Sequence, residues 1–547
     1  MTKTKLSIQN IIKKISISRL IFSFAFSLAL FYMTKIVFLG YVDNENYMER
    51  FYFSEYSILL ILIPVIYLLL YLIEKYYKMS VNHIIETDDI KHKKSFLIIT
   101  SVVLLVVYAF YFLTFYPGGL YIDTWTSFEM LTGAKEFTSQ QPVLYTATLN
   151  IVKLFMPDYY TGFAILTSMQ IILMVSVITY FAYWLLNKKV NPIIVFCFMI
   201  FFATFRLYPL YSVSIWKDTP FSLVLFLYTL SIIDAVIEFN NNKLSVSNIV
   251  KLNILAALVI LLRSNGIYLV LLSIAILVLC FIKKITKEKV EKFKEFIIGS
   301  LVTIFLCILI QNLFVCFGIK SSPKIEMLAV PIQQVARVVA VDGNITEKQM
   351  ELIEKVIPKE KIKKQYRALI VDKLKWDDSF NQNYLYDHMS EYFVLWFELL
   401  LQNPDEYVIS YLLQTSGFWT FNVVGEEAYH SALTWGTLVH IVDNKNLINE
   451  NSNFDFKDNM LAVGYYSGGF FFWITALSAY ITFRICEKKY LIGYVAPLAL
   501  WLTVMVATPM GQALRYVYIL VLILPLNLIY PAIFAKKINL EKAHKVC

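Results

Sequence analysis

KLNILAALVILLRSNGIYLVLLSIAILVLCFI, residues 251–282, is an almost unbroken apolar run with Arg263-Ser264-Asn265-Gly266 in its middle. One helix crossing roughly 30 Å of hydrocarbon needs about 20 residues. This run is too long for one span, so it predicts two shorter helices meeting at the polar break. Further apolar runs of spanning length lie near 17–39, 57–76, 96–115, 161–186, 192–209, 219–238, 296–318, 469–485, 490–507 and 515–535. Together with the divided run they predict an all-α polytopic membrane protein of about 12 transmembrane helices. Composition agrees. The 547 residues are 58% hydrophobic and only 16% charged, with a mean hydropathy of +0.61, which is too apolar for a soluble protein of this length.

Charge then orients the spans. With the N-terminus on the cytoplasmic side, the basic loops 77–95, 187–191, 239–250, 283–295 and 486–489 and the C-terminal tail all fall on that side. This is the lysine bias that short cytoplasmic loops carry. The loop 40–56 on the other side is acidic, with Asp43, Glu45, Glu49 and Glu55. The predicted location is therefore a cell membrane crossed many times, with both termini cytoplasmic. The net charge of +9 is mostly this collar, with attraction to anionic membrane lipid as a second contribution, and not a nucleic-acid signal. No phosphate-cradling glycine loop is present. The six cysteines form no Cys-x-x-Cys, and the scattered histidines form no metallohydrolase pattern.

Two segments on the outer side are long: 116–160 and 319–468. The second reads as a mainly helical domain, with an amphipathic helix over 326–341, polar helices over 345–357 and 359–374, and an aromatic-rich helix over 390–401. That last helix suits either the domain's own core or the membrane surface. Gln333 and Arg337 share one helical face at i, i+4, read as a solvated face. Asp377-Asp378 reads as a loop. Gly464-x-x-x-Gly468 opens the next span.

Against the basic-inside pattern, the few outer charges need a reason. Tyr116-Pro117-Gly118-Gly119 ends a span, and Asp123 follows within Ile122-Asp123-Thr124-Trp125-Thr126-Ser127-Phe128-Glu129. Two roles suit Asp123: a general base at the outer interface, or a helix cap beside the Thr126-x-x-Glu129 capping pattern. Gln140-Gln141-Pro142 comes next, just before a predicted helix over 143–155, with Pro142 read at the first helical position, where proline is ordinary. Trp216-Lys217-Asp218-Thr219-Pro220 places Asp218 as an N-cap, or as a second carboxylate that orients the acceptor or shares a divalent cation with Asp123. Mg or Mn would be that cation; no other cofactor is implied. Arg206, Lys217, Arg263 and Arg515 sit near outer helix ends. They are either headgroup anchors or a phosphate-binding set, to which arginine's planar fork is suited. Arg515 closes the turn that begins Thr508-Pro509-Met510-Gly511-Gln512.

The Tyr-Pro-Gly, Trp-Lys-Asp and Leu-Arg-x-Asn-Gly stretches, with the Asp123 and Gln141-Pro142 pair, resemble the GT-C superfamily of membrane glycosyltransferases. Protein O-mannosyltransferases and lipid A aminoarabinose transferases are its better-known members, and an uncharacterised bacterial subgroup is the nearest in pattern. The resemblance covers about 116–318 by motif and the remainder by layout. It implies a two-span extension (1–95), a GT-C-like seven-span catalytic core (96–318), an extracytoplasmic helical domain (319–468) and a three-span C-terminal segment (469–547). It departs from the pattern in the two additional leading spans, in Gln141 where many members carry histidine, and in the lack of an acidic neighbour to Asp123. The implied activity is inverting transfer of a sugar from a polyprenyl-phosphate-linked donor to a surface glycan, lipid or protein. In it Asp123 is the base and Arg263, Lys217, Arg515 and Arg206 hold the donor phosphate. Asp218, Gln141, Trp125 and Asn265 orient the acceptor. Two other classes share the layout: a surface polysaccharide polymerase or ligase, and a transporter or lipid-intermediate flippase. A transporter places ionisable groups at mid-membrane, and a polymerase or ligase need not depend on Asp123.

Overall fold

The computed structural model describes residues 16–37, 47–49, 52–85, 93–282, 285, 286, 289–316, 318–421, 447, 467–507, 510, 511 and 513–546. Asp43, Glu45, Thr508, Pro509, Gln512, Gly464 and most of 422–466, all named above, lie outside the described residues.

The chain is helical almost throughout. Its membrane-type helices begin with α1 (Ile17–Met33), α2 (Leu59–Ile84) and α3 (Lys93–Thr114). A short helix α4 (Ile122–Thr132) and the pair α5 (Val143–Thr148) and α6 (Asn150–Leu154) follow, where the sequence reads as one helix over 143–155. Next come α7 (Tyr159–Asn187), α8 (Pro192–Thr204), α9 (Leu207–Val213), α10 (Asp218–Asn240), α11 (Val246–Leu262), α12 (Gly266–Ile282) and α13 (Val290–Cys316). Among the described residues, eight helices are long and apolar enough to cross a membrane, and nine if α8 and α9 count as one span bent by 55°. The helices α1, α11 and α12 are apolar but shorter, at 17 residues each.

The expected break at Arg263 is present. Arg263 is extended (φ −156°, ψ 136°), ending α11, and α12 starts at Gly266. A Cβ on Gly266 would lie 2.1 Å from the Val259 carbonyl oxygen, so the two helices can fold back closely only around a glycine. At the centre stands α10, which is apolar on all sides and buried on nearly all of them. It packs on α11, and α11 packs on α13.

The segment expected on the outer side, here called the outer domain, holds α14 (Ala329–Ala340), α15 (Glu347–Val356), α16 (Lys359–Gln365), α17 (Asp372–Lys375), α18 (Gln382–Asp387), α19 (Met389–Gln402) and α20 (Pro404–Gln414). It has its own apolar core, running from Ile325 to Tyr407. The polar helix expected over 359–374 is instead two helices separated by an irregular stretch at 366–371. In α19, Tyr392, Leu395 and Leu399 point into that core, while Phe393, Val394, Phe397 and Leu401 are exposed. The core reading of 390–401 thus holds for one face of α19, and the opposite face is exposed. Gln333 and Arg337 are not a solvated face. Gln333 is fully buried, donating to the carbonyls of Arg367 (2.6 Å) and Ala368 (3.1 Å), and Arg337 donates to Glu406 at 2.7 Å.

The chain closes with α21 (Gly468–Ile485), α22 (Val495–Val506), α23 (Tyr518–Leu522) and α24 (Leu524–Val546). The two-helix N-terminal extension docks on this segment through buried charge. Glu74 of α2 accepts from Arg19 of α1 (2.9 and 3.1 Å), from Tyr480 (2.5 Å) and from Arg484 (3.3 Å) of α21. A buried carboxylate holding that many donors is costly to break, because whichever partner remains is left charged and unpaired.

Two strand fragments set one end of the core. Gly119–Leu120 (β1) pairs in parallel with Ser214–Ile215 (β2). That pairing carries Asp123, just after β1, beside Lys217 and Asp218, just after β2. Gln170 of α7 reinforces it, with its amide nitrogen within 2.8–3.1 Å of the carbonyls of Tyr211, Ser212 and Ser214. Gly118 precedes β1 at φ +127°, where a Cβ would lie 2.3 Å from Thr167 Oγ1. Gly118→Ala is therefore expected to cost about 1–3 kcal/mol of stability through backbone strain. It should also lower activity by displacing Asp123. Thermal unfolding of the purified variant checks the first claim, and an unchanged midpoint contradicts it.

Candidate active site

Five charged side chains from four parts of the chain meet where α10 begins, α11 ends and the 3-10 turn Leu514–Val517 precedes α23, the end expected to face outward. Asp218 is the first residue of α10 and is completely buried. Its Oδ1 takes a short ion pair from Arg263 Nη1, and its Oδ2 lies 3.4 Å from Arg515 Nη1. The same Arg515 nitrogen donates to Asp123 Oδ2 at 2.8 Å. Lys217 Nζ stands 3.4 Å from Asp123 Oδ2 and donates to Gln141 Oε1 at 2.7 Å. Two carboxylates against three cations leave one positive charge in excess. The cations reached from Asp218 and Asp123 are thus a ready-made seat for an anion.

Neither aspartate caps a helix. Tyr121 is the N-cap residue of α4 and Lys217 that of α10, with no side-chain cap bond at either, so both carboxylates are committed to the cations. The Thr126-x-x-Glu129 capping pattern falls inside α4, where no cap is needed. Pro142, expected at the first helical position, is the residue before it.

Aromatic rings finish the cage. The Arg515 guanidinium lies 4.0 Å from the Tyr121 ring centre, 4.8 Å from that of Tyr516 and 5.7 Å from that of Trp216. Arg263 lies 5.3 Å from the Tyr516 ring and 5.6 Å from Phe221. Such rings lend partial negative charge to a cation while keeping water away. The ring of Trp216 is itself held by its Nε1 donating to Thr219 Oγ1 at 2.7 Å. Trp216 lies in the Trp-Lys-Asp stretch quoted above, without a role for its ring, and none of Tyr121, Tyr516 or Gln170 stands out in the sequence, where aromatics make up 16% of residues.

Three of the expected site residues lie elsewhere. Arg206 sits at the bend between α8 and α9, exposed, with Tyr111 in its electrostatic reach. Trp125 packs with Phe128 and Tyr159 in a separate apolar cluster. Asn265 donates to Thr503 Oγ1 at 2.9 Å and so ties the helix break to α22. The place between Asp123 and Asp218 that a divalent cation would take is held by Arg515. With a guanidinium there, and no group of three or more His, Cys, Asp or Glu side chains placed to hold a metal among the described residues, the donor set does not fit Mg or Mn.

Burial works against ionisation of Asp123, but Lys217 and Arg515 outweigh it and hold its carboxyl well below the usual carboxylate range. A carboxyl depressed on folding adds stability above its unfolded pKa of about 3.9, and that gain is lost as pH falls through the folded value. The stability difference between the native chain and Asp123→Asn should thus be constant from about pH 5 to 8 and shrink below about pH 4. Unfolding midpoints across that range test this; a difference that instead changes between pH 6 and 8 refutes the assignment.

Residues 50–544 match a family of unknown function, DUF6020. The chain belongs to this family. No curated protein and no solved structure matches it. The DUF6020 match takes in the whole charge cluster, from Asp123 to Arg515, together with the outer domain. Only α1 among the helices above lies outside it.

Proposed function

We propose that this chain is a glycosyltransferase that moves a sugar from a polyprenyl-phosphate-linked donor to an acceptor on the outer face of the membrane. The observation that carries this reading is Arg515 bridging Asp123 and Asp218 within a cluster bearing one excess positive charge. A lipid phosphate entering from the outer leaflet competes with the carboxylates for Arg263, Arg515 and Lys217. As it takes their hydrogen bonds, Asp123 loses its partners and gains basicity, so donor binding itself arms the base. Asp123 then accepts the proton of the acceptor hydroxyl. The hydroxyl oxygen forms its bond to the anomeric carbon, and the carbon–oxygen bond to phosphate breaks with its electron pair remaining on the phosphate. The three cations stabilise that charge, and attack opposite the leaving group inverts the anomeric centre. Asp218 keeps Arg263 and Arg515 in place and does not touch the reacting atoms.

In this reading α1, α11 and α12 also cross the membrane, giving twelve spans with both termini cytoplasmic and the charge cluster outside. It also takes residues 96–318 as a GT-C-like core. Support comes from the joining of Asp123, Lys217, Asp218, Arg263 and Arg515, which the resemblance selects in advance.

Mass spectrometry of surface glycans and lipid-linked sugars tests it, in wild type, a deletion strain and the deletion carrying Asp123→Asn. Loss of one sugar, with its polyprenyl donor accumulating in both mutants, is the expected result. Normal glycans in the Asp123→Asn strain would remove the base assignment and favour a polymerase or ligase.

A further inference from the structure

The outer domain is stitched onto the charge cluster. Ile370 and Met510 form an antiparallel bridge, Gly511 N donates to the Leu369 carbonyl at 2.8 Å, and Gly417 N donates to the Gly511 carbonyl at 2.8 Å. A Cβ on Gly511 would lie 2.3 Å from the Gln414 carbonyl oxygen, so the approach is as close as backbone allows. Gln333 holds the same stretch from the other side through Arg367 and Ala368. This seam ends at α17, whose first residue, Asp372, lies within the electrostatic reach of Asp123.

A chain of polar contacts closes the circuit. Lys375, completely buried, places its ammonium 2.8 Å from both Asp372 and Glu326. Glu326 accepts from Gln140 Nε2 at 3.1 Å, next to the Gln141 that holds Lys217. The outer domain thus presents a carboxylate, Asp372, toward the membrane carboxylate Asp123.

A second, independent feature starts at the same lysine. Residues 375–383 line a surface pocket of about 660 Å³. Trp376 leaves 46% of its surface exposed there, although a tryptophan this close to a packed domain ordinarily buries its ring. The loop behind it is held by its own hydrogen bonds. Asp377 accepts from Ser379 N (2.9 Å) and Oγ (2.5 Å) and from Gln365 (3.2 Å), and Gln382 Nε2 reaches the Lys375 carbonyl at 3.4 Å. Asp378 and Asn383 line the same pocket and make no side-chain hydrogen bond among the described residues. A flat aromatic face edged by planar amide and carboxylate groups is the chemistry that recognises a sugar. The C–H face of the ring stacks on the indole, and the hydroxyls bond to the Asp and Asn oxygens. The carboxylates favour an uncharged or amino-bearing sugar over an anionic one.

We propose that the outer domain is the acceptor-binding module of this site and that the acceptor is a carbohydrate chain. One ring is seated on Trp376, on the segment that also carries Lys375 and Asp372. This rests on the transferase reading for its last step, but the binding does not.

The test uses the full chain in lipid nanodiscs, without donor, against a panel of defined hexose and N-acetylhexosamine oligosaccharides. Binding is read by glycan array and by saturation-transfer NMR. Expected is binding of a member of the panel, weakened about tenfold by Trp376→Ala and by Asp378→Asn with Asn383→Ala, and kept by Trp376→Tyr. In a transfer assay the same variants raise KM and leave kcat unchanged. Should Trp376→Ala fail to fold, the Asp378 and Asn383 pair and the tyrosine rescue decide. Binding that is intact while no transfer is found leaves this inference standing and removes the transferase reading. Failure of every oligosaccharide to bind, or equal binding by all variants, overturns it; so does a peptide acceptor turned over at a rate these variants do not change.

Discussion

Arg515→Met is expected to destabilise the protein by about 3–5 kcal/mol and to abolish transfer, because it breaks a buried charge network at its shared member. Only 7% of the Arg515 side chain is exposed, and one nitrogen serves both Asp123 and Asp218. Methionine fills much of the same volume, so packing among Tyr121, Trp216 and Tyr516 changes little. What changes is charge: two carboxylates then face two cations, and the excess that would draw a phosphate is gone. Arg515→Lys separates these effects. An ammonium restores the charge without the planar fork, so folding should largely recover while turnover remains down about a hundredfold or more. Thermal unfolding of the nanodisc-embedded variants reads the first effect and donor consumption the second. A methionine variant that melts and turns over like the native chain would mean that this cluster is neither a structural nor a chemical centre.

Asp123→Asn should show the opposite balance. The amide is nearly the same shape, Arg515 keeps Asp218, and Lys217 keeps Gln141. The stability cost is therefore expected to stay near about 1.5–3 kcal/mol, the range for a lost charged hydrogen bond. Turnover, by contrast, should fall about 10²- to 10⁴-fold, the range for removing a general base. Because the neutral amide no longer competes with phosphate for the cations, donor affinity should hold or improve. Single-turnover kinetics distinguish this from a binding defect, and turnover within threefold or so of native would exclude Asp123 as base on the same scale.

The two variants differ because the aspartate acts on a proton and the arginine acts on everything around it. The same distinction runs through Arg263 and Asp218. Arg263 interrupts an apolar run, which a membrane tolerates only with a partner, and that partner is the completely buried Asp218. Substituting Asp218 leaves both arginines short of charge, so its loss resembles that of Arg515 more than that of Asp123.

Much of this was legible in the chain. Apolar length set the helices, and the four-residue polar interruption at Arg263 divided the longest run, since helix length and hydrocarbon thickness are local quantities. Scarcity selected the charges: on a side where short loops disfavour basic residues, Lys217, Arg263 and Arg515 stand out beside Asp123 and Asp218. All five meet in the structure. What sequence could not decide was direction. Arg206 has the same residue type as Arg263 and Arg515, but it sits exposed at the bend between α8 and α9, whereas Arg515 is buried. Gln333 and Arg337 read as a solvated helix face and are instead buried, one holding the stretch that carries Asp372 and the other paired with Glu406. Asp123 and Arg515 stand almost 400 residues apart in the chain and 2.8 Å apart in space. Which polar group answers which, and whether a carboxylate caps a helix or holds an arginine, depends on contacts between distant segments. Periodicity and spacing carry no record of those contacts; only the packing of α10, α11 and the final turn against the outer domain decides them.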